Sequence, residues 1–386
     1  MRSARREKEE KRAESPSSSM AVVADWSQLP KDLLNLISER IDNKFDFIRF
    51  RSVCSSWRSF SIPNHHHISL PFKFPNLKYK RNIFLIKAPQ QQDETLIRPW
   101  LIRVTQNSSG KIKLYESPLI SFELPSTFSF SIDLYKSSVH NLGTDFIFDE
   151  PYIQPEKVLA VTPLTLAILL DNGHLVLSRC GDDCWTGIPD VSSFIGDIGD
   201  ICIFKERIYA VEEKSSKTVT IGPEDLSVKL VAKDVHGGRP DIQFMVESEG
   251  ELLLVDVFES FTDLGFQLQV DVDVFRIDEK EKEWVKLKSL GDRVLFWGNG
   301  CSFSASASDL SVAKGNCVIF MENVFFKKNK ICDSSMCVFD LDQGRLLPLR
   351  DYPDYLNLFW PPPPSIVKSM HKTKKSMLSC IKRFLM

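Results

Sequence analysis

Histidines and cysteines, the usual protein ligands of zinc, occur in three short clusters. Three consecutive histidines occupy positions 65–67, and two cysteine pairs have the spacings Cys180-x3-Cys184 and Cys332-x4-Cys337. Adjacent histidines on a loop rarely converge on one ion, and neither cysteine pair is matched by a histidine pair at zinc-finger spacing. We therefore expect an exposed linker at 65–67 and reduced thiols packed in protein cores, with no metal or other cofactor.

Two aspartates, Asp271 and Asp273, alternate on a predicted strand, so their side chains point to the same face. Such a pair holds a cation or acts as paired carboxylates in some sites, but a solvated strand face is its commoner setting. The glycine-containing stretches 298–300 and 237–238 lack the helix and the lysine of a phosphate-binding loop, and we interpret them as turns. No serine lies in a nucleophile elbow, and no cysteine has a catalytic neighbourhood. The sequence therefore predicts no catalytic residues.

Charge is distributed unevenly along the 386 residues. The 49 lysines and arginines and the 51 aspartates and glutamates give a net charge of -2. Residues 1–14 carry six basic and four acidic side chains, and residues 355–386 carry six basic and no acidic ones, so the intervening residues have a net charge of -10. A dedicated nucleic-acid-binding protein usually shows a large basic excess, and we expect no nucleic-acid partner. The acidic middle favours a target protein with a basic surface.

Hydropathy predicts no membrane span. The longest apolar stretch, 158–170, has 13 residues and includes Thr162, Pro163 and Thr165, whereas a spanning helix needs about 20 residues. We expect two strands there, or a strand and a turn. The first twelve residues are almost wholly polar, unlike a secretory signal peptide. These features predict an intracellular protein, in the nucleus, the cytoplasm or both, with no stable membrane association.

The two ends of the chain have the composition of tails. Residues 1–23 are charged and then serine-rich, which is typical of disorder. Residues 365–386 combine Lys372, Lys374 and Lys375, which resemble a short nuclear import signal, with apolar residues at helical spacing. A basic amphipathic segment of this kind directs import, contacts an anionic membrane or docks on a partner, and a solvated end is the commonest alternative.

Helical periodicity is confined to the segment 24–66. The run 29–32 is typical of a helix start, because proline has no N–H to leave unpaired in the first turn and Asp32 suits the positive end of a helix. Two helical stretches follow, separated by the polar residues 42–44, and Pro63 ends the second. About forty residues make a poor independent core. The surplus apolar side chains therefore form a docking face for another protein or pack on the downstream domain.

Two motifs in this segment resemble the F-box. They are LPKDLLNLI at 29–37 and FRSVCSSWR at 50–58, at their normal separation, and the match covers 26–63. The resemblance implies a three-helix module that binds the Skp-type adaptor of cullin–RING ubiquitin ligases. The residues that it assigns to this contact are Leu29, Pro30, Leu33, Leu34, Ile37, Val53, Cys54 and Trp57. Residues 45–47 are more aromatic than the usual F-box pattern. We expect this difference to alter the rim of the contact with the adaptor.

From about residue 71 the pattern changes to short alternating runs joined by turns, which is typical of antiparallel strands. The clearest hairpins lie at 166–178, 201–211, 244–257 and 267–287. Trp185 and Trp284 follow similar strand–turn patterns and lie 99 residues apart, about two units of 45–50 residues. This spacing favours a β-propeller of roughly six blades over two stacked β-sandwiches. We also predict that residues 289–293 form a turn between strands, held by an interaction between Asp292 and Arg293.

The motifs behind the F-box are similar, in type and order, to those of the C-terminal domain of plant F-box proteins of the KIB or SKIP type. They lie at 244–255, 274–296, 315–320 and 361–364, and the match spans most of 70–367. The resemblance implies a β-propeller-like domain that recruits a substrate. The predicted fold class is α+β and multidomain, with a tail at 1–23, a three-helix F-box at 24–66, a large all-β domain at 67–364 and a basic tail at 365–386.

The two resemblances imply a non-catalytic substrate-recognition adaptor of an SCF-type (Skp–cullin–F-box) ubiquitin ligase. Its expected partners are the Skp-type subunit, through it the cullin and RING subunits, and a target protein whose identity and binding residues the sequence does not specify. Two alternatives stay open. One is a propeller-based small-molecule sensor or enzyme with its site at the axial mouth of the ring, and the other is an F-box protein that acts outside ubiquitination, for example in transcription.

Overall fold

The computed structural model describes residues 25–359 apart from several internal segments. The segments left out are 42–43, 61–73, 75, 88–97, 108–111, 116–136, 149–154, 163, 183, 189–190, 214, 235–238, 262–267, 299 and 322–335. Both predicted tails lie outside the described residues, as do His65, His66, His67, Cys332, Lys372, Lys374 and Lys375. Within the described ranges, no helix combines the length and the hydropathy that a bilayer span requires.

Three helices form the amino-terminal module. They are α1 (Lys31–Glu39), α2 (Lys44–Ser52) and α3 (Ser55–Phe60), preceded by a 3-10 helix at Trp26–Gln28. Pro30 stands immediately before α1 and Asp32 lies in its first turn, which confirms the predicted helix start. At the end of α1 the Arg40 N–H donates to the carbonyl oxygen of Ile37 at 3.1 Å, and the Ile41 N–H donates to that of Ser38 at 3.4 Å.

The rest of the described chain forms five sheets. Sheet 1 contains β1 (Leu77–Lys87), β2 (Trp100–Asn107), β3 (Ile112–Tyr115) and β4 (Ser138–Phe148) in the order β3-β2-β1-β4. Sheet 2 contains β5 (Pro155–Thr162), β6 (Thr165–Leu170), β7 (Leu175–Arg179) and β8 (Thr186–Gly187) in chain order. Sheet 3 contains β9 (Ile198–Phe204), β10 (Arg207–Glu212), β11 (Thr218–Ile221) and β12 (Val228–Ala232), also in chain order.

Sheets 4 and 5 complete the set. Sheet 4 contains β13 (Ile242–Ser248), β14 (Glu251–Phe261), β15 (Leu268–Asp278) and β16 (Glu283–Lys286) in chain order. Sheet 5 contains β17 (Arg293–Gly298), β18 (Cys301–Ser306), β19 (Cys317–Met321), β20 (Met336–Asp340) and β21 (Arg345–Pro348) in the order β18-β17-β19-β20-β21. Two short helices, α4 (Ala307–Leu310) and α5 (Pro353–Leu356), follow β18 and β21. All the strand pairs are antiparallel except β17 with β19.

The strands β4, β5, β9, β13 and β18, one from the edge of each sheet, form a closed ring. Each contacts the next around the circle, and β18 contacts β4. Side chains join these strands, as where Ser302 Oγ donates to the carbonyl oxygen of Met245 at 2.7 Å. Sheets arranged radially around a central channel are a β-propeller. The propeller prediction is therefore confirmed over the alternative of two sandwiches.

The described residues form five blades, so the prediction of roughly six was wrong. That number assumed a nearly constant repeat length. Sheet 2 lies within 155–187, however, whereas sheet 1 extends over 77–148. Strand lengths range from two residues in β8 to eleven in β1. Because a blade is defined by strand pairing and not by chain length, dividing the chain by an average repeat overestimated the count.

The predicted hairpins are confirmed. β6 and β7 pair around the turn 171–173, and the apolar stretch 158–170 consists of two strands, β5 and β6. Gly173 in this turn has a φ of +75°, and a Cβ there would lie 2.8 Å from the Cβ of Asp197. The position therefore requires glycine, both for its backbone conformation and for space.

The two tryptophans 99 residues apart occupy equivalent places two blades apart. Trp185 directly precedes β8 and Trp284 lies in β16, the outermost strands of sheets 2 and 4. The Trp185 ring packs edge-on against Phe148 of sheet 1, with 5.5 Å between the ring centroids. The Trp284 Nε1–H donates to Thr218 Oγ1 of sheet 3 at 3.0 Å. Each tryptophan therefore ties the outer edge of its blade to the preceding blade.

The predicted turn before β17 is present, but the Asp292–Arg293 pair is not. Arg293 Nη1 donates to Glu251 Oε2 of sheet 4 at 2.7 Å, and its Nε donates to the carbonyl oxygen of Leu290 at 3.0 Å. Asp292 Oδ2 instead accepts from Ser308 Oγ at 2.6 Å. Asp292 lies in the turn and Arg293 is the first residue of β17, and the two neighbouring side chains bind different partners.

A segment after the last strand joins sheet 5 to sheet 1. Beyond α5, Leu358 and Phe359 are almost completely buried. The Leu101 N–H of β2 donates to the carbonyl oxygen of Leu358 at 2.7 Å, and Trp100 Nε1 donates to that of Phe359 at 2.6 Å. The segment 353–359 thus supplies hydrogen-bond acceptors to sheet 1.

Sheet 4 contains a buried carboxyl group whose pKa is strongly shifted. Asp256 is 3% exposed, its Oδ1 accepts from Gln243 Nε2 at 2.8 Å, and Asp273 is its cross-strand neighbour. Burial is the largest cause, and with the Asp273 charge it raises the pKa of Asp256 to about 6, against the effect of the Gln243 hydrogen bond. A raised pKa in the folded state stabilises the fold in acid. That contribution is lost as the pH rises through about 6.

We expect Asp256→Asn to raise the free energy of unfolding by about 2–3 kcal/mol at about pH 8, and very little at about pH 4. The Asp256 carboxyl group is charged only at the higher pH, where its burial costs free energy. The neutral amide of asparagine avoids this cost. The exposed Asp271 on β15 provides the control, Asp271→Asn. Urea unfolding of the three proteins at both pH values measures the difference, and an equal effect of Asp256→Asn at both would contradict the prediction.

Candidate functional site

The helical module has a very small interior. Leu34 has no exposed surface, Phe50 is 7% exposed, and the Phe50 ring packs against that of Trp57 with 4.6 Å between the centroids. Trp57 Nε1 donates to the carbonyl oxygen of Trp26 at 2.9 Å, which fastens the 3-10 helix to α3. Among the described side chains of the module, Leu34 and Phe50 are therefore the buried apolar ones, and Trp57 packs against Phe50.

Five large apolar side chains of the module lie at its surface. Their exposed fractions are 66% for Trp26, 46% for Leu33, 45% for Leu36, 39% for Ile37 and 56% for Val53. We call these five residues the apolar surface. Three of them stand at i, i+3 and i+4 of α1 and therefore share one face of that helix.

The apolar surface is concentrated in a small part of the molecule. In the described part of the much larger propeller, Leu164 and Phe194 are the large apolar side chains with comparable exposure. A contact with the propeller is made by α2, where the Arg49 guanidinium donates to the carbonyl oxygen of Ser137, just before β4. Of the two alternatives for the surplus apolar side chains, the structure therefore favours a docking face over packing on the downstream domain.

The eight residues that the F-box resemblance assigned to the adaptor contact differ in exposure. Those at the surface are Pro30, Leu33, Ile37 and Val53. Those half-buried are Leu29, Cys54 and Trp57. Leu34 is completely buried, so in this conformation its side chain belongs to the core of the module.

Sequence reasoning did not single out two members of the apolar surface, Trp26 and Leu36. Leu36 lies three residues after Leu33, so helical spacing was sufficient to predict that the two share a face of α1. Trp26 lies in the 3-10 helix before α1, where no helical repeat relates it to the later apolar residues. Its backbone carbonyl accepts a hydrogen bond from Trp57, while its ring is exposed. The sequence pattern alone does not show that the backbone and the ring of Trp26 have these different environments.

Two basic side chains of the module lie over aromatic rings. Lys31, at the start of α1, places its Nζ 5.6 Å from the centroid of the Phe60 ring. The Arg51 guanidinium of α2 lies 5.8 Å from that of Phe47, the residue of the aromatic stretch 45–47 whose side chain the structure describes. Cation–π contacts of this kind restrain long basic side chains.

The other candidates for chemistry are not assembled into a site in the described residues. Cys180 is half-buried and Cys184 is exposed, both as free thiols. Asp271 is exposed, and Asp273 Oδ2 accepts from Lys286 Nζ at 2.7 Å. Nowhere in the described ranges do three or more histidine, cysteine or carboxylate side chains form a group that would hold a metal ion.

Comparison with known proteins identifies the class of both parts. A model of the F-box domain matches residues 26–63, which include the three helices. A model of the KIB1-4 β-propeller matches residues 60–340, well over half of the chain. The protein is an F-box protein with a propeller domain. More specifically, the chain belongs to the KIB1-4 β-propeller family.

Relatives from Arabidopsis thaliana align with this chain over nearly their whole length. F-box protein SKIP23 is 34% identical over 397 aligned positions, which cover 89% of this chain and 96% of the relative. F-box protein At2g17036 is 32% identical, with coverage of 90% and 96%. Putative F-box/kelch-repeat protein At5g24040 is 27% identical, with coverage of 90% and 100%. The chain is thus a plant F-box protein, and its resemblance to the KIB or SKIP type is confirmed.

Two adjacent leucines of α1 differ in burial, since Leu34 is buried and Leu33 is exposed. We expect Leu34→Ala to destabilise the module by about 2–4 kcal/mol, because it creates a cavity in a very small core. Leu33→Ala removes the same atoms from an exposed position and should change the stability by less than about 0.5 kcal/mol. Hydrogen exchange of α1, α2 and α3, followed by mass spectrometry, reports on the module separately from the propeller. Similar losses of protection in both variants would contradict this division of roles.

Proposed function

We propose that this protein is the substrate-recognition adaptor of an SCF-type ubiquitin ligase. The F-box docks on the Skp-type subunit, and through it on the cullin and RING subunits, while the propeller binds a target protein. The apolar surface carries the proposal, because a helical module of about forty residues exposes five large apolar side chains that a partner's helices would bury. Membership of an F-box family supports the same role.

In this role the protein is not itself catalytic. Ubiquitin transfer is performed by the other subunits, and the adaptor holds the target next to the charged carrier. Tethering two reactants in one assembly makes their reaction effectively intramolecular and raises their effective concentration. A propeller suits this task because its closed ring presents a bound target on a rigid surface.

The charge of the propeller supports a target of complementary sign. Residues 67–354, which contain the propeller, have a net charge of -11. Complementary charge steers association and discriminates against like-charged partners more than it adds affinity. A target that presents a basic surface is therefore part of the proposal.

The test is a binding measurement between the full chain and a purified Skp-type subunit. We expect the double variant Leu33→Ala, Ile37→Ala to bind roughly tenfold more weakly or worse, because buried apolar anchors dominate interface energies. Leu164→Ala, an equally exposed leucine of the propeller, is the control and should bind as the wild type does. Equal binding by the wild type and the double variant would contradict the assignment of the docking surface.

A second measurement separates ubiquitination from other roles of an F-box protein. The wild type should co-purify with the cullin from plant extract, and the double variant should lose the cullin and the Skp-type subunit together. Retention of the Skp-type subunit without the cullin in the wild type would instead support a function outside ubiquitination.

A further inference from the structure

Strand β15 of sheet 4 extends well beyond the strand that pairs with its outer side. β15 has eleven residues, whereas β16 has four and pairs only with residues 275–278. One further hydrogen bond, from the Leu287 N–H to the carbonyl oxygen of Val274 at 2.8 Å, continues this contact. No described strand pairs with the outer side of residues 268–272. We call these five residues the open edge.

Backbone groups of β15 point outward at every second residue. In an antiparallel sheet the N–H and C=O of one residue point to the same side, and those of the next residue point to the opposite side. The Val274 carbonyl points outward, because it accepts from Leu287. The backbone groups of Val272 and Val270 therefore point outward as well. In the part of the chain that the structure describes, neither valine has a backbone partner on that side.

The open edge contains neither proline nor a β-bulge, two features that prevent edge strands from pairing. Its pairing with residues 257–261 of β14 runs without a register shift. The side chains of Val270 and Val272 are buried in the core between sheets 4 and 5, so their backbone groups are what remains for a partner. Proteins bind extended peptides by adding them as a further strand to an edge of this kind.

A row of aspartates determines which kind of segment fits the open edge. Asp271 and Asp273 project from one face of β15, and Asp271 is exposed. Asp273 Oδ2 accepts from Nζ of Lys286 in β16 at 2.7 Å, so a lysine of the next strand outward already pairs with this row. β16 ends before it reaches Asp271. A strand added in line with β16 would place a side chain beside Asp271, and opposite charges on neighbouring strands stabilise a sheet.

We propose that the target protein adds an extended segment to the open edge of β15, with a lysine or arginine beside Asp271. The proposal rests on the adaptor role, because it gives the propeller's target a place to bind. Main-chain hydrogen bonds to Val270 and Val272 supply affinity, and the basic side chain supplies specificity. The net charge of -11 over residues 67–354 favours the same basic segment. Two copies of this chain paired here would bring like charges together, which disfavours a dimer.

Synthetic peptides test the open edge on the full chain. The basic peptide is Thr-Lys-Val-Lys-Val-Lys-Thr with blocked ends, and the acidic peptide has glutamate in place of each lysine. Hydrogen exchange resolved to single amides measures their binding. In the free chain we expect the Val270 and Val272 amides to exchange faster than the Asp271 amide, which points toward β14. The basic peptide should protect both valine amides, and the acidic peptide should not.

A third peptide separates strand addition from attraction between opposite charges. It is the basic peptide with N-methylated amides, which keeps its three positive charges but has no N–H to donate to the open edge. Because main-chain hydrogen bonds supply most of the affinity of an added strand, this peptide should give no protection of Val270 and Val272.

Two charge reversals in sheet 4 provide the variant and its control. Asp271→Lys replaces a cross-strand attraction by a repulsion and should weaken binding of the basic peptide about fivefold or more. Glu281→Lys makes the same change in charge at an exposed glutamate of the β15–β16 turn, next to the paired end of β15, and should bind as the wild type does. Fluorescence anisotropy with a labelled basic peptide measures both affinities.

The proposal would be overturned if the basic peptide gave no protection, or if the acidic or N-methylated peptide protected Val270 and Val272 equally. Protection of these two amides in the peptide-free chain would overturn it too, because the edge would already be occupied. So would equal affinities of Asp271→Lys and Glu281→Lys. Binding of the Skp-type subunit should be unchanged in both variants. Failure of the peptides while the wild type binds that subunit rejects the open edge alone, whereas failure of the wild type to bind it rejects the adaptor role.

Discussion

Closure of the ring is the constraint on which the rest of this protein depends. Each sheet covers its two faces against its two neighbours, so no blade has a complete core by itself. The junction of sheets 4 and 5 is typical, since the Phe244 ring stacks on Trp297 at 5.2 Å and meets Phe320 edge-on at 6.2 Å. The outer tryptophans and the segment 353–359 act at other junctions in the same way. Loss of contact at any junction exposes apolar surface on both sheets that meet there.

The same closure concentrates charge at the centre. Inner strands from five blades must meet around one axis, where side chains that point inward have little room and little water. The ion pairs Arg81–Asp145 and Lys157–Asp200 satisfy most of the charge that results. The helical module, by contrast, buries Leu34 but leaves Leu33 and Leu36 exposed, as expected for a segment of about forty residues. One domain therefore encloses polar groups and the other exposes apolar ones.

Local features were predictable from the sequence, and features set by the closed ring were not. The hairpin at 166–178 and the helix start at Pro30 depend on neighbouring residues, so period and turn chemistry identified them. The tryptophan spacing found the right blade separation, whereas the blade count failed because segment lengths vary. Helical spacing placed Leu33 and Leu34 in one apolar set, but only packing distinguishes the exposed leucine from the buried one. Lys157 and Asp200 are 43 residues apart in the chain, and no local pattern relates them.

The hydrogen bonds from β2 to the segment 353–359 can form only after nearly the whole chain has been synthesised. Trp100 and Phe359 are 259 residues apart. At a synthesis rate of about 5–20 residues per second, the acceptors for β2 emerge on the order of 13–50 seconds after β2 itself. During that interval the nascent chain holds an open arc with two uncovered ends. Chaperones that shield unpaired strands would therefore act on this protein late in translation, when four blades exist and the fifth is still being made.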